Sequence, residues 1–103
     1  MNILVTCVAS KVIPEIITLI RAGIGKTDRI IGVDSIIKEN AVGSIFCDSF
    51  YQVPNGSDSG YIEEIKSIVA SEKIGLIFPG SDDEALTLSK YKSELETYYY
   101  IIS

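Results

Sequence analysis

The chain opens on a run of β-branched and apolar residues, Asn2-Ile-Leu-Val-Thr-Cys-Val8, that enters a short turn through Ala9, Ser10 and Lys11. A strand apolar on both faces has to be covered on both faces, which is the condition of a strand inside a parallel sheet flanked by helices. The remaining sequence supplies that cover, because helical patterns alternate with further apolar strands, the signature of an α/β fold. The functional question is therefore what the loop at the end of this first strand faces.

Ile13, Ile16, Ile17, Ile20 and Ile24 recur at helical spacing. Pro14 sits where a first-turn proline is tolerated and Gly23 where a C-terminal cap is expected, so the spacing predicts a helix from Pro14 to Ala22. Gly25-Lys26-Thr27 has the tail of a phosphate-binding loop but lacks its leading glycine and joins a helix to a strand, so it reads as a surface turn. Arg29 to Asp34 is a second apolar strand, ending in an acid, and Ser35 to Ser49 predicts a short helix or irregular connection. Phe50 to Pro54 reads as a short edge strand closed by proline and followed by the Asn55 to Gly60 turn cluster. Asn55-Gly-Ser57 matches a glycosylation sequon, but in a cytosolic chain it is a turn.

Tyr61, Ile62, Ile65, Ile68 and Val69 form the apolar stripe of another helix, with Tyr61 as a contact at the edge of the core and Glu63, Glu64, Lys66 and Glu72 on the solvated side. Lys73 to Pro79 is a further buried strand. Gly80 to Glu84 opens a helix running to about Lys92, with Ser81 and Glu84 spaced as a capping box in which each side chain serves the other residue's amide. Tyr98 to Ser103 predicts a final strand. About five strands result, in a mostly parallel sheet of order 3-2-1-4-5 with helices on both faces. The direction of winding reverses between the first and fourth strands, which places the ligand crevice between Cys7 to Lys11 on one side and Gly80 to Glu84 on the other.

At 103 residues the chain is one domain. Its 47% hydrophobic content is enough for a core, and a net charge of −5 argues against nucleic acid and anionic membranes as partners. Histidine is absent, which removes the commonest general base and zinc ligand. Two cysteines without metal spacing fit a reduced, cytoplasmic setting, and no apolar run reaches membrane-spanning length.

Six residues are candidates for a site. Asp34 stands where an acid ending the second strand can hold the ribose of a nucleotide cofactor, or can bond local amides at a loop start. Ser10 and Lys11 could contact a substrate carboxylate or phosphate, or could serve as a helix cap and a solvated charge. Ser81, Asp82 and Glu84 stand on the substrate side of the crevice mouth, where the clustered carboxylates Asp82, Asp83 and Glu84 could orient an amine substrate, or could answer only to capping and the helix dipole.

Taken in order, Asn2 to Thr6, Ile30 to Asp34, Asp48-Ser-Phe-Tyr-Gln-Val-Pro54, Tyr61 to Ile65 and Ile77-Phe-Pro-Gly-Ser-Asp-Asp-Glu-Ala-Leu86 resemble the N-terminal, pre-ATP-grasp domain of carbamoyl-phosphate-synthase-like ATP-grasp proteins. The resemblance implies a three-layer α/β/α Rossmann-like domain that shapes the carboxylate- or amine-substrate side of an active site. It also implies an ATP- and magnesium-dependent ligase working through an acyl-phosphate, with ATP and magnesium held by ATP-grasp lobes elsewhere in the full-length chain. No cofactor is then expected within these residues, which would form an N-terminal fragment that is inactive alone. One departure from the resemblance is that Cys7 to Lys11 contains no glycine, so a phosphate cradle with left-handed backbone is hard to make there. The alternatives are a freestanding nucleotide- or dinucleotide-binding module and a protein-interaction module. In the latter the apolar Tyr98 to Ile102 strand would pair as an edge in a homodimer.

Overall fold

The computed structural model describes residues 1–95 together with the backbone of Tyr99 and Tyr100. Strand β1 (Asn2–Thr6) is followed by α1 (Ile13–Gly23), β2 (Ile30–Asp34), β3 (Ser49–Gln52), α2 (Tyr61–Ser71), β4 (Ile74–Phe78), α3 (Asp82–Lys90) and a two-residue β5 (Tyr99–Tyr100). The sheet is parallel throughout, with order β3-β2-β1-β4-β5. Four full strands in the order 3-2-1-4 make its body, and the expected fifth strand is reduced to two residues beside β4. Tyr98 and residues 101–103 of that expected strand lie outside the described residues.

Alternation along β1 divides the core. Leu4 points to one face, where it joins Ile31, Val33 and Ile77 under Ile65, Ile68 and Val69 of α2 and Leu88 of α3. Ile3 and Val5 point to the other, against Ile13 and Ile17 of α1. Strand residues with a period of two and helix residues with a period near 3.6 thus meet on both sides, giving three layers. The register couples the strands directly: Leu4 lies opposite Ile31 on β2 and Ile77 on β4.

Each element also ends for a local reason. Pro14 lies in the first turn of α1, and the chain leaves that helix at Ile24 in extended geometry (φ −117°) rather than through a left-handed glycine. The helix after β4 stops at Lys90 instead of Lys92, its last carbonyls taken by the Tyr91 amide. Residues 35–48 are not one helix but two 3₁₀ turns, Lys38–Asn40 and Val42–Phe46. Gly25 to Asp28 is a turn closed by the Asp28 amide on the Gly25 carbonyl, at 3.2 Å.

Two distant elements are tied at the foot of the sheet, away from the crevice. Arg29 donates to Glu72 at the end of α2, 2.8 Å, and to Ser49 of β3, while Asn2 donates to the Glu72 carbonyl. Glu72, expected on the solvated side of α2, therefore serves as a clasp, and Tyr51 also donates to it.

Candidate functional site

Three strands end side by side at one edge of the sheet: β1 at Thr6, β2 at Asp34 and β4 at Phe78. A central strand that has been wound outward in both directions leaves a gap above its end, and the loop after β1 has to cross that gap. It is pinned from three sides. Asp34 accepts from the Ala9 amide at 2.8 Å, the Gly43 amide donates to the Val8 carbonyl at 2.9 Å, and the Gly80 amide donates to the buried Thr6 hydroxyl at 2.9 Å.

Cys7 takes left-handed geometry in this loop, φ 59°. The absence of glycine does not prevent the turn; three neighbouring anchors over-determine it and offset the local strain. The approach of Gly80 is equally close, since a Cβ there would stand 2.0 Å from the Thr6 carbonyl oxygen. Glycine is the residue that lets the β4 turn lie against β1.

The result is a crevice of about 270 Å³ lined by Cys7, Asp34, Ser35, residues 53–56, Ser81, Asp83 and Glu84. Of the six candidates it brings together Asp34, Ser81 and Glu84. Ser10, Lys11 and Asp82 are not among its lining, so the first-loop wall expected from Cys7 to Lys11 is Cys7 alone. Ser10 is not a helix cap either, because α1 begins at an N-cap Val12 that offers no side chain.

Of its two expected roles, Asp34 shows the bonding of backbone amides at the start of a loop. Its Oδ1 accepts from the Ile36 amide at 3.1 Å and its Oδ2 from Ala9, so it closes a local turn while holding the β1 loop. Asn55 behaves as a turn residue, its side-chain oxygen accepting from the Ser57 amide and hydroxyl at 3.1 and 3.0 Å.

Ser81 and Glu84 make only half of the expected capping box. The Ser81 hydroxyl accepts from the Glu84 amide at 3.3 Å, but the Glu84 carboxylate is turned elsewhere: Oε2 receives the Tyr61 hydroxyl at 2.5 Å and Oε1 the Ser81 hydroxyl at 3.3 Å. Tyr61 is accordingly not a core-edge contact. It is 1% exposed, and a buried phenol needs a partner for its O–H. The signal was a tyrosine where the rest of the α2 stripe is aliphatic. Gly56 leaves room for this arrangement, because a Cβ there would meet Glu84 Cγ at 3.1 Å.

The crevice is electronegative. Burial raises the Glu84 carboxyl pKa, hydrogen bonds from the Tyr61, Ser81 and Thr6 hydroxyls pull it back, and the Asp34 charge raises it again. Burial, reinforced by Glu84 and Asp34, pushes the Cys7 thiol up to about 11, so it is protonated at neutral pH and a poor nucleophile. None of the lining side chains is cationic.

A pH prediction follows from Glu84. Its folded-state pKa lies above the ordinary 4.5, so the folded chain holds this proton longer than the unfolded chain does. The associated stability is present below about pH 4.5 and is lost as pH rises through the folded value. Glu84→Gln should remove that decline. Urea midpoints of both chains across the acid to neutral range check it; parallel curves would refute the assignment.

The family-model comparison matches residues 3–100 to the PylC-like N-terminal domain. The chain belongs to that family. It is thus a pre-ATP-grasp domain of ATP-grasp ligases, and its parallel sheet of order 3-2-1-4 is Rossmann-like. No curated protein matches the chain.

Among the described residues no three His, Cys, Asp or Glu side chains are grouped to hold a metal. The α1 N-terminus loses an amide to Pro14, and the Gly25 amide, in the one glycine–lysine–threonine turn, is occupied by Asp28 at 3.0 Å. No helix among the described residues is long and apolar enough to cross a membrane.

Proposed function

We propose that the domain forms the substrate-side wall of an ATP-grasp ligase of the carbamoyl-phosphate-synthase-like kind, joining a carboxylate to an amine through an acyl-phosphate. ATP and magnesium belong, in this reading, to ATP-grasp lobes of the same full-length protein. The observation that carries the substrate side is the crevice itself: it sits at the carboxyl ends of β1, β2 and β4 and is lined by Asp34, Asp83 and Glu84 with no cation among its residues. A carboxylate or phosphate entering it would meet like charge, whereas a protonated amine would meet three carboxylates, so the amine partner is the one assigned here.

The thiol, imidazole and phenol groups that most often act as nucleophile or base are not available at this crevice. Cys7 is protonated, histidine is absent from the chain, and the Tyr61 phenol is pushed well above its ordinary value by burial and by Glu84. The domain's part is to bind and orient.

The reading is tested with the 103-residue chain alone. It should turn over no ATP in the presence of magnesium, and ethylammonium should shift the amide signals of Ser35, Ser81 and Glu84 while acetate does not. ATP turnover by the isolated chain, or acetate binding in place of ethylammonium, would overturn it. The dinucleotide alternative is disfavoured by Asp34, whose two oxygens are already engaged by backbone amides.

A further inference from the structure

A glutamate three residues after an N-cap serine ordinarily folds its carboxylate back onto the serine amide, and here it does not. The Ser81 hydroxyl still accepts from the Glu84 amide, so the helix start is properly formed and the geometry for the second half of the box is within reach. What diverts the carboxylate is the hydroxyl of Tyr61, 2.5 Å from Oε2.

That hydroxyl comes from the first residue of a different helix, α2, and from a ring 1% exposed in the core cluster that also holds Ile65 and Leu88. A ring packed on all sides cannot follow a moving carboxylate, so the hydroxyl defines one position for it. The other groups facing Glu84 act beside this hold. Ser81 shares its own helix start, the buried Thr6 hydroxyl accepts from the Gly80 amide and donates its proton to the carboxylate with less effect than Tyr61, and Asp34 acts through repulsion.

We propose that Tyr61 is the positioning residue of the crevice: its buried hydroxyl holds the Glu84 carboxylate at the crevice lining, out of the helix cap it would otherwise close. The inference rests on the reading of the crevice as a substrate wall for its purpose, but not for its geometry. A carboxylate offers about four acceptor sites, so one that receives the Tyr61, Ser81 and Thr6 hydroxyls keeps capacity for one ligand donor and presents it in a fixed direction. Preorganisation of this kind spares the ligand the ordering cost of the side chain.

Tyr61→Phe removes the hydroxyl and leaves the ring. In the ligand-free variant the carboxyl ¹³C titration midpoint of Glu84 should rise, because a hydrogen bond to the charged form is lost, and the Ser81 amide should become more protected from exchange as the carboxylate closes the cap. A merely structural tyrosine would move neither. An unmoved midpoint with an unmoved Ser81 amide overturns the proposal. Should Tyr61→Phe fail to fold, Glu84→Gln carries the test: the Tyr61 Cζ signal should move upfield as the phenol loses its charged acceptor, and a signal that stays in place overturns the proposal.

Ethylammonium separates this from the wider reading. With the Glu84 hold lost, its affinity should fall about tenfold in Tyr61→Phe. If ethylammonium binds neither chain, the amine reading of the crevice fails, while the midpoint and the Ser81 amide still decide the role of Tyr61.

Discussion

Gly80→Ala is expected to cost about 3 kcal/mol of stability and to abolish the ethylammonium response of the crevice. The added Cβ would lie 2.0 Å from the Thr6 carbonyl oxygen and 3.0 Å from Cys7 Cβ. The obstacle is backbone, not the end of a flexible side chain, and it belongs to the central strand. Relief by moving the β4 turn outward would stretch the 2.9 Å bond from the Gly80 amide to the buried Thr6 hydroxyl, leaving both groups short of a partner. It would also draw Ser81 and Glu84 away from Cys7, which is why binding and stability should fail together. Gly23→Ala is the control: nothing lies within 4 Å of a Cβ there and the residue is helical, so that variant should be neutral or slightly stabilised. Urea denaturation of the two variants beside the parent chain decides the matter, and a Gly80→Ala chain within about 0.5 kcal/mol of the parent would sink the packing account.

Leu4→Ala should cost a similar amount, about 3 kcal/mol, through a different mechanism. Leu4 is 0% exposed at the centre of β1, opposite Ile31 on one neighbouring strand and Ile77 on the other, and it belongs to the cluster beneath α2. Removing its branched end leaves a cavity that the sheet cannot collapse into, since the strands on both sides are held by their ladders. Leu86→Ala, at a leucine 67% exposed on α3, is the matched comparison and should lie within about 0.5 kcal/mol of the parent. Equal losses at the two positions would contradict the core as described.

The two variants also separate the two things held at the β1 end. Leu4→Ala weakens the sheet without touching the crevice lining, so at low urea its folded fraction should still respond to ethylammonium. Gly80→Ala should not respond even where it is folded.

Much of this architecture is written in short-range periodicity. The isoleucines of α1, the stripe of α2 and the apolar run of β1 each report their own element, because period and burial are properties of a few successive residues. The order of the strands follows from right-handed crossovers applied to those elements, and with it the place of the crevice. The PylC-like family match over residues 3–100 agrees with that layout. The two-residue extent of β5 and the paired 3₁₀ turns at residues 38–46 are less accessible, because neither has a period long enough to register.

The site divides in the same way. That Ser81 caps a helix, that Asp34 ends a strand and that both flank the switch point all follow from local signals. Which side chains then face one another does not, because it depends on residues far apart in the chain. Glu84 is spaced from Ser81 as a cap, yet a hydroxyl 23 residues earlier takes its carboxylate. Cys7 lacks the freedom of glycine, yet amides from Ala9 and Gly43 and the close approach of Gly80 hold its loop in left-handed geometry. Local pattern sets the elements and their order through backbone propensity and burial. Only the packed sheet, by bringing α2 and α3 together over the strand ends, decides that Tyr61 holds Glu84 and that Glu84 and Asp34 share one electronegative crevice whose lining does not include Lys11 or Asp82.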